Sequence, residues 1–543
     1  MNNRRSRPWL TLAYVLAATT AAVAPAQAAE QAHQAPTSTR GPVRLQTEGG
    51  YFRDAQGRVV ILHGFNLNGT EFPNSDSAGP EGFTAKDADF LAANGFNFIR
   101  LGINWSQFVP ERPMDPGHFT IDQTALDKVL RVADLLASDH IYYMLDFHQG
   151  CFQEWPDWAI PWDKGVGQST AISAFPECYL VPNGVSRASD NLVKDPDPDN
   201  AALPGGSLAT IPVSEVWADY REAWRQVAAQ FRNRDYLMGY DFINEPGTSH
   251  FWECDIPALG CQHADEKIQA FEENVLAGIR EADPVSSTDP TEDARAGIGV
   301  FEPVSVEGTS GAPTGFGDIP VTDPKVAWSF HVYCGNFAEP VPGTHACADL
   351  MRPAFEGTAG VGGSTRNAAH LTGADTTVAG GPRVPGAQPA PQLMSEFGST
   401  TDPNVIEDTL VSADPHFVSW AYWQYKNYPD WQIGIFSSQH DEQCVCFDDP
   451  SPRADVLIRP YPQATAGTPV SYSYDQASRT MAYTYTPADD RSSATQIVVP
   501  AYFAPHGYKV SVTHGHVVSA PGALDLEILP TSSRNVTVTI EPS

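Results

Sequence analysis

Eight short apolar runs recur between Val59 and Trp423, with longer amphipathic stretches between several of them, and this alternation leaves few architectures open. The runs are Val59–His63, Phe96–Leu101, Ile141–Asp146, Leu237–Ile243, Gly297–Phe301, Val326–Phe330, Gln392–Met394 and Phe417–Trp423. Short apolar runs bounded by Gly, Pro or polar residues read as buried strands. Helical periodicity falls between them at Thr84–Asn94, Ile121–Ser138, Val213–Asn233 and Asp265–Ala282. Strand and helix alternating eight times predicts a parallel (β/α)8 barrel, its strands in chain order and joined by right-handed crossovers.

At 543 residues the chain exceeds one barrel, so a second domain is expected. From about Tyr461 short alternating runs appear, among them Ser471–Tyr474, Met481–Tyr485, Gln496–Val499, Lys509–Thr513 and Asn535–Ile540, at the spacing of a C-terminal β-sandwich. The expected division is residues 1–29 as a signal peptide, 30–44 as a polar lead, 45–460 as the barrel and 461–543 as the sandwich, read as a stabilising cap or as a membrane- or sugar-presenting module. The leader has Arg4, Arg5 and Arg7, an apolar run from Trp9 to Ala24, and small residues at Ala26 and Ala28. That layout predicts secretion, with cleavage after Ala28 or Ala29. A formal charge of −32 repels nucleic acid and anionic surfaces and fits a protein kept soluble outside the cell. The eight cysteines suit the same compartment, with Cys254–Cys261, Cys334–Cys347 and Cys151–Cys178 as candidate disulfides. Cys444 and Cys446 are too close to bridge without strain.

Chemistry enters at the ends of the strands. Tyr240–Pro246 and Gln392–Gly398 are apolar runs that break off in a carboxylate, Glu245 and Glu396, about 150 residues apart. Barrel enzymes keep their reactive groups where strands emerge from the core. Two facing carboxyls can cleave an acetal without a metal or cofactor, one protonating the departing oxygen and the other attacking the sugar carbon. Around them the same rule collects Arg100 after strand two, Asp146 and His148 after strand three, and Asn244 after strand four. His331 and Tyr333 follow strand six, and Trp423 strand eight. Taken singly each has an ordinary explanation: Arg100 in a surface ion pair, His148 or His331 as a packed imidazole, Trp423 as core. Their convergence on one mouth is what points to a site. No phosphate loop, His-Glu-x-x-His or Gly-x-Ser-x-Gly offers a rival chemistry.

In order and residue type, Arg100, His148, Asn244, Glu245, His331, Tyr333, Glu396 and Trp423 resemble the retaining glycoside hydrolases of family 5, over roughly residues 45 to 460. Within that family, Met144–Gln149, Tyr240–Pro246 and Arg459–Thr468 look most like the secreted actinobacterial endoglycoceramidases, including the type acting on galactose-linked ceramide. The resemblance implies Glu245 as acid/base, Glu396 as nucleophile, Asn244 at the sugar 2-hydroxyl and Trp423 as a platform under the sugar. It also implies Arg100 and Tyr333 holding Glu396, Asp146 and His148 at sugar hydroxyls, and His331 lining the site. Arg100 and Tyr333 should keep Glu396 ionised. One departure concerns a lysine that the endoglycoceramidases place after strand one: here no Lys precedes Lys86, which leaves open whether glucose or galactose adjoins the ceramide.

The loop from Gly150 to Ile211 carries Phe152, Trp155, Trp158, Trp162, Phe175 and Tyr179, an aromatic density that reads either as a lid or as the wall of an apolar groove for an alkyl chain. The segment from Glu356 to Pro391 is a second long insertion. The expected activity is release of an intact glycan from a glycosphingolipid. Alternatives are a glucanase or mannanase of the same family, another lipid β-glycosidase, and a catalytically silent carbohydrate-binding barrel. The expected partners are the glycolipid or glycan and, transiently, lipid aggregates or a membrane surface, with no nucleic acid, and the chain is expected to be a monomer.

Overall fold

A computed structural model describes residues 43–67, 82–103, 105–110, 113–148, 213–246, 262–285, 290–303, 314–334, 347–357, 363–374, 384–426, 433–436 and 450–543. The leader, the aromatic Gly150–Ile211 loop and every cysteine except Cys334 and Cys347 lie outside the described residues. Residues from Gly41 onward form one compact unit. Three short strands come first: β1 (Gln46–Glu48), β2 (Tyr51–Arg53) and β3 (Val59–Val60). The eight barrel strands follow. They are β4 (His63–Leu67), β5 (Phe98–Ile103), β6 (Tyr142–Phe147), β7 (Leu237–Asp241), β8 (Ile298–Phe301), β9 (Val326–Val332), β10 (Gln392–Phe397) and β11 (Ser419–Tyr422). They close in chain order, all parallel, with β11 pairing back onto β4. Helices Ala85–Ala93, Gln123–Ser138, Val213–Phe231 and Gln262–Ala282 fill the crossovers where helical periodicity predicts them. Ser364–Leu371, inside the second insertion, is also a helix.

Strand alternation sorts the core into two layers and delivers polar groups to one end. On β5, Ile99 and Leu101 join the shell beneath the helices. Phe98 faces inward with Met144, Met238, Ile298, Leu393 and Ala421, and this interior layer is plugged from below by Leu45, Phe52, Val60 and Leu62. One step further along each strand the inward positions become Arg100 and Asp146, both fully buried. The apolar plug thus occupies the N-terminal end of the barrel and the charged cluster the C-terminal end, the division this fold uses for stability and chemistry.

The first strand differs from expectation. Val59 and Val60 pair antiparallel with Thr465 and Ala464, so they belong to the C-terminal domain, and barrel strand β4 begins at His63. The reason is local: β4 reads His-Gly-Phe-Asn-Leu, too polar to stand out as a buried run, while the apolar pair before it suits a sheet edge. The C-terminal strands are β12 (Tyr461–Thr465), β13 (Gly467–Asp475), β14 (Thr480–Pro487), β15 (Thr495–Val498), β16 (Tyr508–Thr513), β17 (Gly515–Val517), β18 (Asp525–Pro530) and β19 (Val536–Pro542). The sandwich sheet of seven strands runs β1-β2-β3-β12-β15-β18-β17 and the second, of four, β13-β14-β19-β16. Sandwich and barrel share a joint in which His63 stacks between Trp420 and Tyr461, at centroid distances of 4.2 and 3.7 Å. Beside it the buried Arg459 pairs with Asp414 at 2.6 Å and lies over the rings of Tyr472 and Tyr474. Cys334 and Cys347 form a disulfide with Cα atoms 5.5 Å apart, as their spacing of thirteen suggests.

Candidate active site

Arg100 is the hub of the barrel mouth, and it is fully buried, not a surface ion-pair member. Its Nε donates to Asp241 at 2.8 Å, one terminal nitrogen to Asn66 at 3.1 Å and Glu396 at 2.6 Å, and the other to Asn244 at 2.8 Å. That second nitrogen also lies 3.2 Å from Asp146 and 3.6 Å from Glu302. A planar guanidinium with five donors is the side chain able to bind so many acceptors from different strands at once.

Glu396 and Glu245 face each other across this hub. A register shift between Met394 and Glu396 on β10 sets Glu396 opposite His331 of β9, a bulge that re-aims one side chain beside a site. Gly398 follows at φ +93°, where a Cβ would fall 2.2 Å from the Tyr422 ring, so only glycine lets the chain leave the strand here. Tyr333 donates its hydroxyl to Glu396 Oε2 at 2.6 Å. Glu245 sits past the end of β7 at φ +43°, the left-handed region that costs a non-glycine residue about 1 kcal/mol or more. Its backbone N–H donates to Glu302 at 2.8 Å and so holds that conformation. His331 Nδ1 lies 2.8 Å from Glu245 Oε1 and 3.3 Å from Glu396 Oε2. One oxygen of each glutamate and this ring's nitrogen all fall within 4.8 Å of one another.

The remaining candidates complete one continuous surface. His148 Nδ1 is 2.7 Å from Asp146, and its ring stacks on Trp423 with centroids 5.1 Å apart and planes 22° from parallel. All nine residues singled out in the sequence therefore meet at one barrel end. Three more buried polar residues belong to the cluster without having been singled out: Asn66, Asp241 and Glu302. Glu302 had a legible signal, since Val300-Phe301-Glu302-Pro303 ends an apolar run in Glu-Pro, as Phe242-Ile243-Asn244-Glu245-Pro246 does with Asn244 interposed. Asn66 and Asp241 sit inside strands, where only pairing in space reveals them.

Four carboxyl groups surround one guanidinium, and burial raises each of them. It pushes Asp146 up to about 6 and Asp241 to about 7, with Arg100 pulling both back. Glu302 is pushed well above the ordinary range by burial and by the charge of Asp241, again against Arg100. Glu396 is raised as well. Burial is the largest cause, Arg100 opposes it, Glu245 adds to it and the Tyr333 hydrogen bond lowers it. Arg100 and Tyr333 both favour the ionised form of Glu396, the direction expected of them, and desolvation in a crowded acidic pocket works against them. Burial also drives His331 down to about 4 and His148 well below its ordinary value, so both rings are neutral near neutral pH.

With one oxygen of each carboxyl within 4.8 Å of the other, the pair stands on the short side of the range that separates retaining from inverting glycosidases. On a closed parallel barrel this geometry defines the chain as a barrel glycoside hydrolase. The chain belongs to glycosyl hydrolase family 5, whose "Cellulase" model matches residues 54–429, and a glycoside hydrolase family 5 C-terminal domain model matches residues 459–541. It is 28% identical to Endoglycoceramidase I of Rhodococcus hoagii over 91% of this chain and 88% of that protein. It is 23% identical to an endoglycoceramidase of Cyanea nozakii over 84% of each. Among solved structures it resembles endo-glycoceramidase II of Rhodococcus sp., seen as a lactosyl-enzyme intermediate, with a TM-score of 0.62 and 24% identity over 91% of this chain and 99% of that one.

Proposed function

We propose that this chain is a secreted, retaining endo-β-glycosidase that cleaves the bond between glycan and ceramide in glycosphingolipids, with Glu396 as nucleophile and Glu245 as acid/base. The close approach of the two carboxyls carries the retaining part of the reading. Glu396 attacks the anomeric carbon as Glu245 protonates the ceramide oxygen; Glu245 then takes a proton from water, which hydrolyses the glycosyl ester. Trp423 supports the sugar ring, and Asn244, Asp146 and His148 direct hydroxyls. Relatives named endoglycoceramidase, aligned along most of the chain, support the ceramide side. Transient contact with a lipid surface follows from a substrate held in micelles, and the enzyme acts as a monomer.

The deciding experiment is incubation with a ganglioside, a galactose-linked ceramide oligosaccharide and cellulose oligomers, with products separated by chromatography. Intact oligosaccharide and free ceramide are expected. Cleavage of the cellulose oligomers alone would replace the glycolipid reading with that of a glucanase. Secretion is checked by sequencing the N-terminus of protein from culture medium, which should begin at residue 29 or 30.

A pH prediction follows from the raised Glu396 carboxyl. Attack requires the ionised form, so kcat/KM should rise with pH on a limb above the ordinary glutamate value of 4.5. Tyr333→Phe removes a hydrogen bond to that ionised form and should move the limb upward by about one pH unit, corresponding to a charge-assisted bond of about 1.5 kcal/mol. A limb that stays in place or moves down would detach Tyr333 from Glu396.

A further inference from the structure

We propose that Asn66 is a positioning residue for Glu396: its amide nitrogen grips the backbone of the bulge that aims the carboxylate, and its amide oxygen holds the arginine nitrogen that binds it. The inference rests on the reading of Glu396 as the nucleophile.

The bulge decides where Glu396 points. Leu393 faces the barrel interior, so plain strand alternation would turn Glu396 outward, toward the helices. One extra residue prevents this. Against β9, Met394 pairs with Phe330, and Glu396 with the next residue along, His331. Against β11 the ladder stops at Met394–Trp420 and resumes at Gly398–Trp423, four steps on β10 for three on β11. Ser395 is therefore the inserted residue against both neighbours, and Glu396 takes the inward place opposite His331. An inserted residue leaves the ladder, and its buried carbonyl then needs a donor from elsewhere.

Asn66 supplies that donor. Strand β11 lies between β4 and β10, and the Asn66 side chain reaches across it from β4. Its Nδ2 donates to the Ser395 carbonyl at 2.8 Å and to the Ala421 carbonyl at 3.3 Å. Its Oδ1 accepts at 3.1 Å from the same Arg100 nitrogen that donates to Glu396 Oε1 at 2.6 Å. The orientation of the amide is forced, because carbonyls only accept and a guanidinium only donates. Ser395 Oγ also bonds Ser329 Oγ at 2.5 Å, a contact that holds the side chain of the bulge and leaves its carbonyl to Asn66. The Ser395 carbonyl belongs to the peptide unit joined to Glu396. One buried side chain thus fixes the carboxylate along two routes, through its own backbone and through the cation that binds it.

The test is the rate of covalent trapping, read by intact mass, with 2-deoxy-2-fluoro-β-glucosyl fluoride or its galactosyl counterpart, whichever labels the unaltered protein. Asn66→Leu keeps a branched side chain and removes both ends of the amide. Its trapping rate should fall by about 100-fold, the order of loss that a misplacement of 1 Å brings. Labelling should still reach one sugar per chain, and KM for the glycolipid should stay within about threefold while kcat falls. A merely structural role gives the opposite pattern, with fewer labelled chains reacting at the normal rate. Asn66→Ala serves if the Leu variant does not fold: a water can enter beside the two carbonyls and replace part of the grip, so its rate should fall by about tenfold. Trapping within about threefold of the unaltered rate in a folded variant, or a reduced labelled fraction at unchanged rate, overturns the proposal. Failure of the underlying reading looks different: peptide mapping of the unaltered protein would then find the sugar on a residue other than Glu396, or on none, and the proposal falls with it.

Discussion

Glu396→Gln is expected to lower glycolipid turnover by on the order of 10⁴-fold or more, and Glu245→Gln by a comparable factor on the glycolipid but far less on an activated substrate. The asymmetry comes from what each group does. Without the Glu396 carboxylate no bond to the anomeric carbon forms, whatever the leaving group. Without the Glu245 proton the first step still proceeds for a fluoride or a dinitrophenolate, and the glycosyl-enzyme then accumulates because no base activates water. Intact-mass measurement should therefore show Glu245→Gln gaining one glycosyl unit from a glycosyl fluoride, while Glu396→Gln gains none. Azide, a nucleophile that needs no base, should release the accumulated adduct as a glycosyl azide of unchanged anomeric configuration. If both variants acquire the mass, or both keep equal residual activity, the two roles are wrongly assigned.

What the sequence made legible and what it hid have separate physical origins. Barrel strands buried on both faces leave uninterrupted apolar runs, and the ends of those runs exposed Arg100, Asp146, Glu245 and Glu396 directly. The same test misplaced the first strand, because Asn66 and His63 break the apolar character of β4: Asn66 donates to the Ser395 carbonyl at 2.8 Å and accepts from Arg100, and His63 packs at the sandwich joint. Function and interface had overwritten the pattern. The pairing of Val59 with Thr465 joins segments some 400 residues apart and has no local signature. The raised carboxyl of Glu396 was hidden for a related reason: Arg100 and Tyr333 favour its ionised form as their place in the sequence suggests, but the burial and the charges of Glu245 and Asp146 that raise it act through space.

Removing the hub should be the most destabilising single change in the barrel. Arg100→Met leaves Asp146, Asp241, Glu302 and Glu396 around an uncharged side chain at a position with no solvent exposure. Breaking a buried ion pair by deleting one partner costs about 3–5 kcal/mol, and here one cation serves four acids. The pH dependence gives the test its sign. Asp146 at about 6 and Asp241 at about 7 are both raised from 3.8, so the stability linked to them is fully present below the unfolded value and is lost as pH rises through 6 to 7. Arg100 opposes the rise in each, so its removal lifts both further and extends that loss to higher pH. Arg100→Met should thus lie nearest to the wild type in thermal unfolding at pH 5, where the carboxyls carry protons, and fall furthest behind at pH 8. Arg100→Lys should sit between the two: a point charge satisfies part of the Coulomb demand but cannot bond Asp241, Asn66, Glu396 and Asn244 from one plane. A stability gap that is the same at pH 5 and pH 8, or wider at pH 5, would mean that the cluster holds together by packing and that Arg100 is not what allows four acids to share one buried site.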